Sequence, residues 1–229
     1  MNNAIKMVVF DMAGTTVDED NVVYKTVQKA INEAGFDLTL DQVLAQGAGK
    51  EKLQAIKDIL SAYTTNTDAD LAQKIYKSFI AQLGDAYRTL SILPQKNASE
   101  LFTALKERNI LVVLDTGYDR QTAQTIIDKL EWEESIDFDL FVTASEVEKN
   151  RPDPDMILFA MKKFDIADGK NVVKVGDSAI DIEEGQNAGC GLSIGITTGA
   201  HTREQLQAAN PDYIIDNLIE LIPIIDGRQ

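Results

Sequence analysis

Six short apolar runs punctuate the chain: Lys6–Phe10, Ile110–Leu114, Leu140–Val142, Val172–Val175, Leu192–Ile196 and Tyr213–Ile215. Most are unbroken rather than alternating, the pattern of strands covered on both faces, as in a parallel sheet. Between them lie Ser99–Arg108, Gln121–Leu130, Asp155–Phe164, Ile180–Ala188, Arg203–Ala208 and Leu218–Ile225, whose apolar residues recur at helical spacing. That alternation predicts an α/β fold with a doubly wound, Rossmann-like parallel sheet.

The rhythm breaks once. From Asp18 to about Leu93 there are only helical patterns: Val22–Ala34, Leu40–Leu44, Lys52–Tyr63 and Ala69–Tyr87. A structureless loop of that length is implausible in a compact chain. The expectation is therefore a core of residues 1–17 and 93–229 with an inserted α-helical cap over 18–92, hinged near Val17–Asp20 and Ser91–Lys96.

Composition narrows the chemistry. No apolar run approaches the ~18 residues that would span a bilayer, and the first strand stops at Asp11, so a cytoplasmic protein without a membrane partner is expected. Cys190 is the only cysteine, which rules out an internal disulfide. The net charge is -15, from 22 basic and 37 acidic residues, with no Lys/Arg cluster to meet nucleic acid. An anionic ligand would therefore need a local cation. His201, the single histidine, makes a Ser-His-Asp apparatus or a His-rich zinc site improbable. It is expected on an exposed loop, with Trp132 and Cys190 as packing residues. No pattern is diagnostic of assembly, leaving monomer or homodimer.

In open α/β sheets, ligands bind beyond the carboxyl ends of the strands. Those ends carry Asp11-Met12-Ala13-Gly14-Thr15-Thr16, then Asp115-Thr116-Gly117-Tyr118, then Lys149 and Arg151, then Asp177 and Asp181. The oxygens of Asp11, Asp177 and Asp181 suit a hard cation such as Mg2+. Gly14 should let the backbone approach an anion and offer N–H groups to it. Arg151, or its rival Lys149, supplies a cation. Thr116 suits either an anion or the N-cap of the next helix. Carboxylates, a divalent ion, donor amides and a cation are the parts of a phosphoryl-transfer site.

The four ordered motifs "DMAGTT", "LDTG", "NRPDPD" and "GDSAID" resemble those of the haloacid dehalogenase superfamily along nearly the whole chain. The resemblance implies that Asp11 is a nucleophile forming an aspartyl-phosphate. The Ala13 carbonyl, Asp177 and Asp181 would help Asp11 hold Mg2+. Thr116 would bond a phosphoryl oxygen and Arg151 would orient Asp11 and offset charge. Gly14, Thr15, Gly117, Tyr118 and, from the helical cap, Gly49 would line the substrate.

Most phosphatases of that superfamily carry an aspartate where this chain has Ala13, to protonate the leaving oxygen and then activate water. A carbon–phosphorus bond needs an electron sink instead, which a lysine imine on an adjacent carbonyl provides. "AQGAGKEKLQAI" offers Lys50 behind Gly47 and Gly49. With Ala13, "TGY" and "GQNAGCGLSIGITTG", it is similar to the phosphonoacetaldehyde hydrolases, although Gln46, Leu53 and Asn21 depart from their pattern. The implied substrate is a small phosphonate or phosphorylated metabolite. Lys50 would form the imine or bind the anion. "GAGKE" is not a P-loop, since no strand precedes it and Glu51 follows the lysine.

Overall fold

The computed structural model describes residues 4–65 and 68–227. Its main sheet has six strands, all parallel, in the order β5-β4-β1-β6-β7-β8. These are β1 (Met7–Asp11), β4 (Leu111–Thr116), β5 (Leu140–Thr143), β6 (Val172–Gly176), β7 (Leu192–Ile196) and β8 (Tyr213–Ile215). All six runs form strands, and β1 and β4 extend by one or two residues to include their terminal carboxylate or threonine.

Continuous apolar runs form here because each strand is covered twice. In β1, Met7 and Val9 pack with Met156, Ile157, Ala160 and Met161 of α7 (Asp155–Lys163). Val8 and Phe10 join the opposite cluster, with Leu101, Phe102 and Leu105 of α5 (Ala98–Glu107). Phe102 stacks edge-on against Trp132, 5.3 Å between centroids, so Trp132 is a packing residue, as is the buried Cys190. Burying each such side chain contributes about 1.5–3 kcal/mol.

The remaining core helices are α6 (Arg120–Leu130), α8 (Ala179–Asn187), α9 (Arg203–Ala208) and α10 (Leu221–Asp226). The last helical pattern begins as a 3-10 turn over Leu218–Glu220 before becoming α10.

Between β1 and α5 the chain forms α1 (Val22–Glu33), α2 (Leu40–Gly47), α3 (Lys52–Tyr63) and α4 (Ala69–Thr89). Thr39 and Gln42 close a capping box at the start of α2. In α4 the buried residues Ala72, Ile75, Phe79, Leu83 and Tyr87 recur at the spacing of one helical face. A two-residue antiparallel pair, β2 (Val17–Asp18) with β3 (Leu93–Pro94), ties the two passages into and out of this segment. It was not legible as strand, because two residues carry no period.

β1 is central, with β4 on one side and β6 on the other. The chain runs from β1 outward to β5, then returns to the far side of β1. That reversal opens a crevice at the carboxyl end of β1, where Asp11 stands.

Candidate active site

Period-two alternation aims the charges. Met7, Val9 and Val113 face α7, so Asp11 and Asp115, which continue that series, emerge on the same side. Asp11 and Asp115 are register partners, and Lys174 of β6 is the partner of Val9. Arg151 enters from the loop before α7 and is 5% exposed. Its Nη1 donates to Asp11 Oδ1 at 2.6 Å and its Nη2 to Asp115 Oδ1 at 2.5 Å. Asp181 Oδ1 lies 2.8 Å and Glu184 Oε2 3.1 Å from the same guanidinium. Lys174, fully buried, bonds Asp115 Oδ1 at 2.5 Å and pairs with Glu184 Oε2 at 3.0 Å.

The rival cations are thereby separated. Lys149 is exposed and pairs with Asp153 at 3.8 Å, whereas Arg151 is on the nucleophile candidate. Asp181 has two positions to satisfy. As N3 of α8, its Oδ2 accepts from the Ser178 backbone at 3.2 Å and hydroxyl at 2.5 Å, while Oδ1 faces Arg151.

Asp11, Asp177 and Asp181 each offer an oxygen within 4.8 Å of the others. Five buried carboxylates, with Asp115 and Glu184, surround two buried cations, Arg151 and Lys174. The deficit is visible in their acidities. Burial pushes Asp11 up to about 6 against the pull of Arg151, with Asp181 and Asp115 adding to the rise. Burial, then the Asp115 charge, pushes Glu184 to about 8. Asp177 is raised well above the carboxylate range by burial and the charges of Asp11 and Asp181. Burial also acts on Asp181, yet Arg151 and Lys174 hold it low. A divalent cation among these oxygens would supply the missing charge, so the residues fit one.

Two expectations about neighbouring groups need correction. Gly14 does not offer its N–H to an anion: that N–H donates to Val17 O at 2.9 Å, and Thr15 N to Met12 O at 3.2 Å. The glycine is needed because φ is +83° and a β-carbon there would run into the Asp177 carboxylate. His201 is half-buried, its Nδ1 accepting from Ala179 N at 3.0 Å at the head of α8. Thr15 is buried with an unpartnered hydroxyl among the described residues. Ala13 is partly buried and bridges to Val17. Thr116, also buried, accepts from Tyr118 N at 3.3 Å. The cap of α6 is Asp119, not Thr116.

The loop between α2 and α3 closes over these tips. A β-carbon on Gly117 would lie 3.0 Å from the Lys50 carbonyl oxygen, and one on Gly49 (φ +73°) 2.5 Å from Ser178 Oγ and Ile180 Cγ2. Gly49→Ala should therefore unseat the loop. The expected result is a fall in kcat/KM of about tenfold or more, since misplacement by about 1 Å costs that much or more, with a lowered unfolding midpoint from the left-handed alanine. Lys50 lines an open cleft of about 590 Å3 with Arg151, Asn150, Ile180 and Glu183. Its ammonium pairs with Asp58 at 2.5 Å. The lysine that turns inward is Lys52, 5% exposed. Lys52, Glu19, Lys174 and Glu184 were not singled out from sequence, although a lysine inside the apolar strand "VVKVG" was a usable signal.

A model of the haloacid dehalogenase-like hydrolase family matches residues 8–205. The chain belongs to that family. As a haloacid dehalogenase-like hydrolase it is an enzyme. A phosphonoacetaldehyde hydrolase of Latilactobacillus sakei is 30% identical, covering 98% of this chain and 96% of its own length. One from Bordetella pertussis is 28% identical over 96% and 91%. The crystal structure of a phosphonoacetaldehyde hydrolase-like protein from Oleispira antarctica superposes with a TM-score of 0.82 at 22% identity, over 98% of this chain and 92% of its own. That likeness concerns the fold. No helix among the described residues is long and apolar enough to cross a membrane.

Proposed function

We propose that this haloacid dehalogenase-like hydrolase is a Mg2+-dependent cytoplasmic enzyme whose Asp11 accepts a phosphoryl group. The substrate is a carbonyl phosphonate such as phosphonoacetaldehyde. The observation that carries the first part is Asp11 itself, buried at a central strand tip, bonded to Arg151 and within 4.8 Å of two further carboxylates. Bound there by Asp11, Asp177, Asp181 and the Ala13 carbonyl, Mg2+ would offset phosphoryl charge. Arg151 holds Asp11 in line, and the Thr116 and Thr15 hydroxyls with the Gly117 N–H offer polar groups to the phosphoryl oxygens. The helices of residues 18–92 act as the cap that shuts water out.

The carbon–phosphorus part rests on Ala13, whose methyl cannot itself protonate an ester oxygen, and on the relatives' names. When the bond breaks, its electron pair enters the adjacent carbonyl, which is held as an imine on Lys50 or meets a proton donor at its oxygen. A small phosphate monoester is the alternative substrate.

Phosphate release from phosphonoacetaldehyde beside a panel of phosphate esters, with and without Mg2+, tests the substrate. Release from esters alone overturns the phosphonate reading. Borohydride added during phosphonate turnover should label Lys50 if the imine forms; unlabelled, active enzyme assigns the electrons to a proton donor. Mg2+ should also raise the unfolding midpoint. A site filled to 100 times Kd adds about 2.7 kcal/mol, and Asp177→Asn should remove most of that gain.

A further inference from the structure

Above Asp11 lies a group of buried polar side chains that the roles given so far leave unused. Glu19, just beyond β2, is 6% exposed and accepts a 2.7 Å hydrogen bond from the Tyr87 hydroxyl at the end of α4. The Tyr118 hydroxyl donates to its other oxygen at 3.5 Å. Lys52, at the head of α3, donates to the Lys50 carbonyl at 2.6 Å. That is its only hydrogen bond among the described residues. Its ammonium lies over the rings of Tyr24 and Tyr118, 5.3 and 5.1 Å from their centroids. The same Lys50 carbonyl presses on Gly117, so the ammonium sits one hydrogen bond above the tip that carries Asp115 and Thr116. An ammonium has three donors, which leaves two for a ligand.

We infer that Lys52, backed by Glu19, is the acid–base group that serves the leaving group and then the hydrolytic water, the work that the methyl of Ala13 cannot do. The inference rests on Asp11 as phosphoryl acceptor. In the first step the bond from phosphorus to the leaving atom breaks and a bond from Asp11 oxygen to phosphorus forms. The departing electron pair takes a proton from the Lys52 ammonium, at the ester oxygen or at the enol oxygen that a carbonyl phosphonate leaves. In the second step water attacks phosphorus, the Asp11 oxygen departs, and the water proton returns to the Lys52 amine. Glu19 does not touch the amine and acts on it through its charge, which favours the ammonium.

The acidities fit proton transfer near neutrality. Burial lowers Lys52 to about 8; Asp11, Glu51 and Glu19 oppose the fall, Arg151 adds to it, and Tyr24 and Tyr118 face the amine. Burial raises Glu19 to about 7 against the Tyr87 hydroxyl, the Val23 N–H and Lys52, with Asp11 adding to the rise.

The test compares wild type, Lys52→Met, Lys52→Arg and Glu19→Gln on p-nitrophenyl phosphate, whose leaving group needs no proton, and on an alkyl phosphate and phosphonoacetaldehyde. Both Lys52 variants should lose about 100- to 10,000-fold in kcat on whichever poor-leaving-group substrate wild type turns over. On p-nitrophenyl phosphate they should keep a burst of one nitrophenolate per enzyme, followed by slow turnover. Glu19→Gln should slow the steady state and spare the burst. Equal losses on both substrate types, or activity restored by Lys52→Arg, overturn the role of Lys52. Wild type that never phosphorylates Asp11 sinks the proposed function itself, and this inference with it.

Discussion

Asp11→Asn is expected to lower turnover of every accepted substrate by about 10,000-fold or more, the scale on which losing a nucleophile registers. An amide neither attacks phosphorus nor carries the covalent intermediate. Stability should not fall with activity. The buried cluster holds more carboxylates than cations, so removing one charge relieves repulsion and leaves Arg151 with Asp115, Asp181 and Glu184. Phosphate release, intact-protein mass spectrometry of quenched enzyme and a urea melt read the three quantities together. Residual activity within tenfold of wild type would remove Asp11 from the chemistry.

The second large effect is on the fold. Lys174→Met keeps the volume of the side chain but strips Asp115 and Glu184 of one of their two buried cations, leaving Arg151 alone among the carboxylates. Breaking such a pair costs about 3–5 kcal/mol, because the remaining charges have nowhere to go. Urea unfolding should show that loss near pH 8 and a smaller one near pH 5, where Glu184 is protonated. A midpoint unmoved at both pH values would mean that the network is maintained without the lysine.

Wild type should show a related trend. Glu184 titrates at about 8 in the folded chain against 4.5 as a free carboxyl. Between those values the folded state binds more protons than the unfolded one, so stability without a divalent cation should fall as pH rises from about 4.5 to about 8. Mg2+ should flatten the slope by favouring the ionised carboxylates.

The six strands were legible because burial on both faces writes itself as unbroken apolar runs. Asp11, Asp177 and Asp181 were legible because ligand sites gather at strand ends. Arg151 and Lys149 were not separable on paper. Two basic residues two apart in a loop have the same local pattern, and only packing of the loop against β1 and α8 buries one and exposes the other. The Gly14 reading failed for a similar reason. A glycine announces backbone freedom, but not whether its N–H turns outward or, as here, closes onto Val17.

The amino-acid sequence by itself determined the α/β architecture, the helical segment after the first strand, the family and the missing acid at Ala13, since each is a periodicity or a residue type at a fixed offset. Tertiary structure alone decided which cations reach Asp11, that Lys174 and Glu184 complete its buried network, and that Lys52 rather than Lys50 turns inward. Those outcomes depend on which faces of separate elements meet and exclude water, and charge interactions gain their strength only after that burial has occurred.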